Sequence, residues 1–171
     1  IDRVREFTRK DPETWVVFAA GPLYRGERRG GPRTIWWTTP DLYRYMPAFD
    51  GAVSAGGFNS VHELMQHAIP TVFVAQAKIA DDQHARIHRL VQRGAALQAN
   101  LDDTTLAAAL QTLVDEPSAA ALSQAARDIA PMDGARQAAA AVLDLVLPVG
   151  VLGRAIEQVD EDTLQALALQ G

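Results

Sequence analysis

Two short apolar runs, Gly51-Ala52-Val53-Ser54 and Thr71-Val72-Phe73-Val74-Ala75, bracket a stretch with room for one turn and one helix of about ten residues. Strands joined through a helix cannot close as a hairpin. They pair in parallel, with a right-handed crossover. The rest of the chain repeats this theme. Candidate strands at Trp15 to Ala20, Thr34 to Thr38, Gly51 to Ser54, Thr71 to Ala75 and Ala96 to Gln98 alternate with helical patterns. Those patterns, Asp41 to Pro47, Asn59 to Ala68 and Asp82 to Arg93, each open on an Asp or Asn, the residues that cap helix N-termini. Pro70 stops one helix and Gly94 ends another. The expected fold class is α/β, a Rossmann-like parallel sheet with helices on both faces.

After Asn100 the pattern becomes helical, with Leu106, Leu110 and Leu113 at i, i+4, i+7, and Pro117 and Pro131 separating two further segments. Ser118 is the expected cap of the helix after Pro117. Residues 1–147 read as one lobe and residues 148–171 as a C-terminal tail, with a helix expected to start near Asp160-Glu161-Asp162.

With 171 residues, 48% of them hydrophobic, the chain can bury a core of its own. A net charge of −5, from 16 basic and 21 acidic residues, gives no overall basic footprint for nucleic acid, and Arg25, Arg28, Arg29 and Arg33 read as a solvated loop. The absence of cysteine excludes disulfides, a thiol nucleophile and Cys-ligated metal, and fits a reducing, cytoplasmic setting. The apolar run from Ala138 to Leu152 is broken by Asp144, Pro148 and Gly150 and falls short of the roughly 20 residues a membrane span needs. The chain opens without Met, inside an amphipathic helix pattern, and so reads as a piece of a longer protein.

Chemistry concentrates at Ser54-Ala55-Gly56-Gly57-Phe58-Asn59-Ser60-Val61-His62-Glu63, a strand end, a glycine turn and a helix start. Glycines let backbone approach an anion, and a helix N-terminus offers unpaired N–H groups and the positive end of its dipole. Glu63, one turn into the helix, carries a carboxylate that can accept two hydrogen bonds from a vicinal diol such as a ribose. Together these features point to a nucleotide diphosphate. A glycine pair at a strand-to-helix turn also serves plain backbone geometry, and only Glu63 sharpens the reading.

These residues, with Pro70-Thr71, Asp82-Gln83 and Gly94-Ala95-Ala96, resemble the C-terminal donor-binding lobe of GT-B glycosyltransferases. By pattern the sequence is most similar to the bacterial lipid-II-forming N-acetylglucosaminyltransferase and related UDP-sugar transferases. The resemblance runs from about Trp15 to Leu147. It implies an inverting transferase that uses a nucleotide diphosphate sugar, UDP-N-acetylglucosamine foremost. Gly56, Gly57, Asn59 and Ser60 would hold the diphosphate, Glu63 the ribose, and Asp82, Gln83 and His84 the sugar. The nucleobase would lie against Trp37, Thr38 and Thr39, with Leu42 packing nearby.

The resemblance further implies that the first strand of the lobe and the N-terminal acceptor lobe lie outside this sequence. A missing lobe or partner chain would then supply the acceptor and the general base. The fragment would bind donor better than it turns it over, and the full protein could sit peripherally at the inner membrane face. A His that plant-type members carry before the glycine pair is Ala55 here, which points to the bacterial branch. Two alternatives stand beside the transferase: a UDP-sugar epimerase or hydrolase of the same fold, and a donor-binding subunit with no activity alone.

No metal or other cofactor is expected. Growing charge on a leaving diphosphate can be met by helix N–H groups instead of a cation. His84 and His88 share a helix face but lack a third ligand in a recognisable arrangement, and His62, His67 and the acidic Asp160-Glu161-Asp162 string read as surface features. Trp36 and Trp37 read as strand residues facing opposite sides, and Asp50 as a turn residue.

Overall fold

A computed structural model describes residues 1–21, 24–76, 81–101, 103–129 and 134–146. They fall in two compact units, Ile1–Pro131 and Met132–Gly171. The first carries, in order, α1 (Asp2–Lys10), β1 (Val16–Ala19), β2 (Thr34–Trp37), a 3-10 helix (Tyr43–Ala48), β3 (Ala52–Ser54) and α2 (Phe58–Gln66). β4 (Thr71–Phe73), α3 (Gln83–Gln92), β5 (Leu97–Gln98), α4 (Asp103–Val114) and α5 (Glu116–Ile129) follow. The second unit contributes α6 (Gly134–Val146). The tail at 148–171 and its expected helix lie outside the described residues.

All strand pairing is parallel, as the alternation of strands and helices requires. β3, β4 and β5 form a three-stranded sheet in that order, with Ala52 opposite Thr71 and Val72 opposite Leu97. β1 and β2 form a separate pair, with Val16 opposite Thr34. One continuous sheet was the expectation, and two are found because β1 and β3 each have a ladder partner on one side only among the described residues. In β3, Ala52 N–H donates to the Pro70 carbonyl and Val74 N–H to Ser54, both toward β4. The N–H and C=O of Val53 therefore face the other edge, and its side chain, on a face of the sheet, is 40% exposed.

The central strand β4 is buried on both faces, as its unbroken apolar run demands. Its adjacent residues point to opposite sides and seed two cores. Phe73 packs with Val61, Leu64 and Met65 of α2, Ile87 and Leu90 of α3 and Ala126 of α5. Val72 packs with Leu106, Ala109 and Leu110 of α4, with Val4 and Phe7 of α1 against them. The three-stranded sheet is thus the middle layer of three. The i, i+3, i+4 spacing of Val61, Leu64 and Met65 is what turns one stripe of α2 inward.

Local chemistry sets the element ends. Gly94 ends α3 with φ +69, a left-handed conformation that glycine adopts without a Cβ penalty. Ala68 adopts φ 51 after α2, where its carbonyl accepts a 2.7 Å bond from Ser123 Oγ. Two expectations are corrected here. The Asp41–Pro47 segment is a 3-10 turn because Pro47 lies inside it and removes a donor. α5 starts at Glu116, with Asp115 in the capping role expected of Ser118: its carboxylate accepts the Ser118 N–H at 3.1 Å and the Ser118 hydroxyl at 2.5 Å. Pro117 sits in the first turn, where a missing N–H costs nothing. The Arg33 guanidinium donates to the Thr8 carbonyl at 2.7 Å, which ties the arginine-bearing loop to the end of α1.

Candidate functional site

The glycine turn lies where β3 ends and α2 begins, at the C-terminal edge of a parallel sheet, the place at which open α/β folds bind ligands. Gly57 is the N-cap residue and carries no side-chain cap, and the first intrahelical bond runs from Val61 N–H to the Gly57 carbonyl at 3.0 Å. The N–H groups of Phe58, Asn59 and Ser60 therefore have no acceptor within the helix. Asn59 is exposed and Ser60 half-buried. Neither side chain is engaged in a hydrogen bond with a described residue.

The two glycines do different work. A Cβ on Gly56 would lie 2.6 Å from Ile87 Cδ1, 2.9 Å from Ile87 Cγ1 and 3.2 Å from Gln83 Cβ, so Gly56 leaves the space that the Ile87 and Gln83 side chains of α3 fill against the turn. A Cβ on Gly57 would meet nothing within 4 Å, and its φ of −62 and ψ of 145 suit any residue. Packing and φ/ψ do not demand the second glycine, although as an N-cap it is preferred over alanine. The open space over it is where an anion can reach backbone N–H groups.

Glu63 lies half-buried one turn into α2, and its carboxylate makes no hydrogen bond or ion pair with a described residue. Val61, Leu64 and Met65 fix the face of α2 that turns inward, and with it where Glu63 stands. On the same helix, the Phe58 ring is 60% exposed and stacks on His62 at 4.2 Å.

α3 starts after the loop that follows β4. Asp82 caps it, accepting the Ala85 N–H at 3.0 Å through Oδ1. Gln83 is 1% exposed and its amide is engaged at both ends: Oε1 accepts the Gln76 N–H at 2.9 Å and Nε2 donates to Asp81 Oδ2 at 3.1 Å. His84 is exposed, as is His88. Among the described residues no three His, Asp or Glu side chains group as metal ligands. No described helix is long and apolar enough to cross a membrane.

Trp37, Thr38, Thr39 and Leu42 lie at and beyond the C-terminal end of β2. Trp37 packs edge-on against Tyr45 at 4.6 Å, the Thr39 hydroxyl accepts the Asp41 N–H at 3.2 Å, and Leu42 packs against the core formed by α2, α3 and α5. The 3-10 turn that follows reaches α2 through Tyr43, whose ring meets His67 at 4.6 Å. Trp36 stacks on Phe18 at 4.7 Å and donates its indole N–H to the Arg29 carbonyl at 2.8 Å, a structural role. A groove between α1 and α4, lined by Arg3, Glu6, Phe7, Lys10, Leu110 and Gln111, is built from elements other than those of the glycine turn.

Two residues that motif reading passed over stand out. Arg86 reaches from α3 to the Gly56 carbonyl, and Asp81 binds both Arg86 and Gln83. Their one trace in the sequence is the Asp81-Asp82 doublet, since a helix start needs a single capping carboxylate.

The family described as UDP-glucoronosyl and UDP-glucosyl transferase matches residues 35–138, a span that includes the glycine turn, Glu63 and all of α3. The chain belongs to that family. Among solved structures, the glycosyltransferase of kitacinnamycin aligns with a TM-score of 0.66 at 23% identity, over 86% of this chain and 39% of its own. Spinosyn forosaminyltransferase SpnP aligns with a TM-score of 0.55 at 19% identity, over 74% of this chain and 33% of its own. The chain thus spans a third to two fifths of these structures, and the likeness is one of fold. It agrees with the parallel α/β class expected of a GT-B lobe. No curated protein matches.

Proposed function

We propose that this chain is the donor-binding lobe of an inverting glycosyltransferase and holds a UDP-sugar at the glycine turn. The observation that carries the reading is the uncapped N-terminus of α2, with open space over Gly57 and an unengaged Glu63 one turn on, inside the family match. The diphosphate sits on the N–H groups of Phe58, Asn59 and Ser60, with the Asn59 and Ser60 side chains beside it. Glu63 accepts the two ribose hydroxyls. The base lies by Trp37, Thr38, Thr39 and Leu42, and the sugar by the start of α3. The family description makes UDP-glucose and UDP-glucuronate the donors to compare with UDP-N-acetylglucosamine.

In the transfer, an acceptor hydroxyl attacks the anomeric carbon from the face opposite the leaving group, and a base takes its proton. The bond from the anomeric carbon to the diphosphate oxygen breaks, and UDP departs with the electron pair. Its added negative charge falls on the helix N-terminus, where unpaired N–H groups and the dipole stabilise it. Acceptor and base come from outside the glycine-turn site, from an acceptor lobe or a partner chain.

Titration calorimetry of the chain with UDP, GDP, dTDP and the three UDP-sugars, with and without a chelator, tests this. Binding confined to uridine nucleotides and lost on Glu63→Ala is the expected result. Binding of no nucleotide, or equal binding by the variant, would overturn the assignment.

A further inference from the structure

We propose that Arg86 is a positioning residue for the diphosphate, acting through the Gly56 carbonyl and not through the phosphates. The inference rests on the donor-site reading above. Arg86 Nη1 donates to the Gly56 carbonyl, 30 residues away in sequence, while Nη2 lies 2.6 Å from Asp81 Oδ1. Asp81 Oδ2 in turn accepts from Gln83 Nε2, so both of its oxygens are engaged and the guanidinium is held from its far side. The guanidinium carbon also stands 5.5 Å from the centre of the Phe58 ring, a cation–π contact with the first residue of α2.

The consequence lies in peptide geometry. In a trans peptide the carbonyl of one residue and the N–H of the next point in opposite directions. Drawing the Gly56 carbonyl to Arg86 turns the Gly57 N–H the other way, and that N–H has no acceptor among the described residues. It joins the N–H groups of Phe58, Asn59 and Ser60 as a fourth unpaired donor of one short segment, an arrangement of successive amides that binds anions. A carbonyl left unheld could turn its oxygen toward the same space and repel a phosphate. Asp81 already pairs with the guanidinium, so the charge of Arg86 is spent within the protein.

The test is a double-mutant cycle on the 171-residue chain, with Arg86→Ala, Asp81→Asn and the two combined, titrated with UDP and with uridine. Arg86→Lys serves as the conservative variant. Positioning predicts UDP affinity about tenfold lower for Arg86→Ala, as for loss of one charge-assisted bond, with uridine unchanged. Asp81→Asn weakens UDP in the same direction, the double variant is no worse than the poorer single, and Arg86→Lys recovers part of the loss.

Tighter UDP binding by Asp81→Asn would overturn the proposal, because a released Arg86 would then be reaching phosphate directly. Unchanged UDP binding by Arg86→Ala, or an equal fall for uridine and UDP, would overturn it as well. The carbonyl carbon-13 shift of Gly56 in the nucleotide-free chain separates the two readings, because it reports the hydrogen bond that the oxygen accepts from Arg86. If it moves upfield in Arg86→Ala while the parent binds no nucleotide, the hold on the turn is real and the donor reading has failed. If it is unchanged, the hold itself is refuted.

Discussion

Adding one methyl to each glycine of the turn should separate folding from binding. In Gly57→Ala the new Cβ enters open space, and the φ of −62 and ψ of 145 are as good for alanine as for glycine. Stiffening the unfolded chain adds about 0.4–1 kcal/mol of stability. Alanine is a poorer N-cap than glycine by about 0.5–1 kcal/mol, so the two effects nearly cancel. In Gly56→Ala the Cβ would lie 2.6 Å from Ile87 Cδ1 and 3.2 Å from Gln83 Cβ, in a buried site. Overpacking of that kind costs about 1–3 kcal/mol. For a chain of this length the loss is about 2–10 °C in Tm, against about 2 °C either way for Gly57→Ala. Binding should reverse the order of interest. The Gly57 methyl occupies the approach to the N–H groups, and losing one or two charge-assisted bonds there weakens UDP by about tenfold to a hundredfold. Thermal unfolding and titration calorimetry on the same samples measure both. A Gly57→Ala chain that melts like Gly56→Ala, or that binds UDP like the parent, would refute the division of roles.

Glu63→Ala should keep the fold and lose about 1.5–3 kcal/mol of UDP binding, seen in calorimetry as a tenfold to hundredfold rise in Kd; uridine, which carries the same ribose, should weaken in parallel. Gln83→Ala should lower stability by about 1–3 kcal/mol, read from a urea midpoint, because it leaves the Gln76 N–H without its acceptor. Asp82→Asn should leave stability unchanged, since Asn caps as well as Asp, and should alter the difference in affinity between a UDP-sugar and UDP if the sugar is read there. Acid unfolding should respond to Asp11, whose carboxyl is held below the usual carboxylate range by the Thr14 hydroxyl and then by the Glu13 N–H. A lowered value stabilises the folded chain at neutral pH and is lost as the pH falls below about 4, so Asp11→Asn should flatten the acid limb of a stability profile.

Periodicity was enough to locate the parallel strands and their helices, because each needs a distinct apolar spacing. The strands at Val16–Ala19 and Thr71–Phe73 lie inside the runs expected for them, and the inward stripe of α2 follows from Val61, Leu64 and Met65. Element ends were less legible. Pro117 does mark the break between α4 and α5, yet it lies inside the first turn of α5, where proline is tolerated, so the helix starts before it. Pairing across sheet edges was not legible at all, since nothing in β1 or β3 states which neighbour each will have. At the site, Gly56 and Gly57 looked alike in sequence. What distinguishes them is Ile87, 30 or more residues on, and no local pattern carries that contact. Arg86 was invisible for the same reason: its partner is a carbonyl, which every residue possesses.

The start of α3 shows how three adjacent polar residues divide the labour. Asp81 spends both oxygens inside the protein, on Arg86 and on Gln83. Gln83 engages both ends of its amide, with Gln76 and with Asp81, and is sealed from solvent. Asp82 is exposed and gives Oδ1 to the helix cap. At the start of α3 the side chains of Asp82 and His84 are therefore exposed, while the buried Gln83 ties Gln76 to Asp81. Asp82 can keep the cap with one oxygen and offer the other to a hydroxyl, because a carboxylate has acceptor sites to spare. The residue pair that marks this position in the sequence thus separates into an exposed helix cap, Asp82, and a buried brace, Gln83.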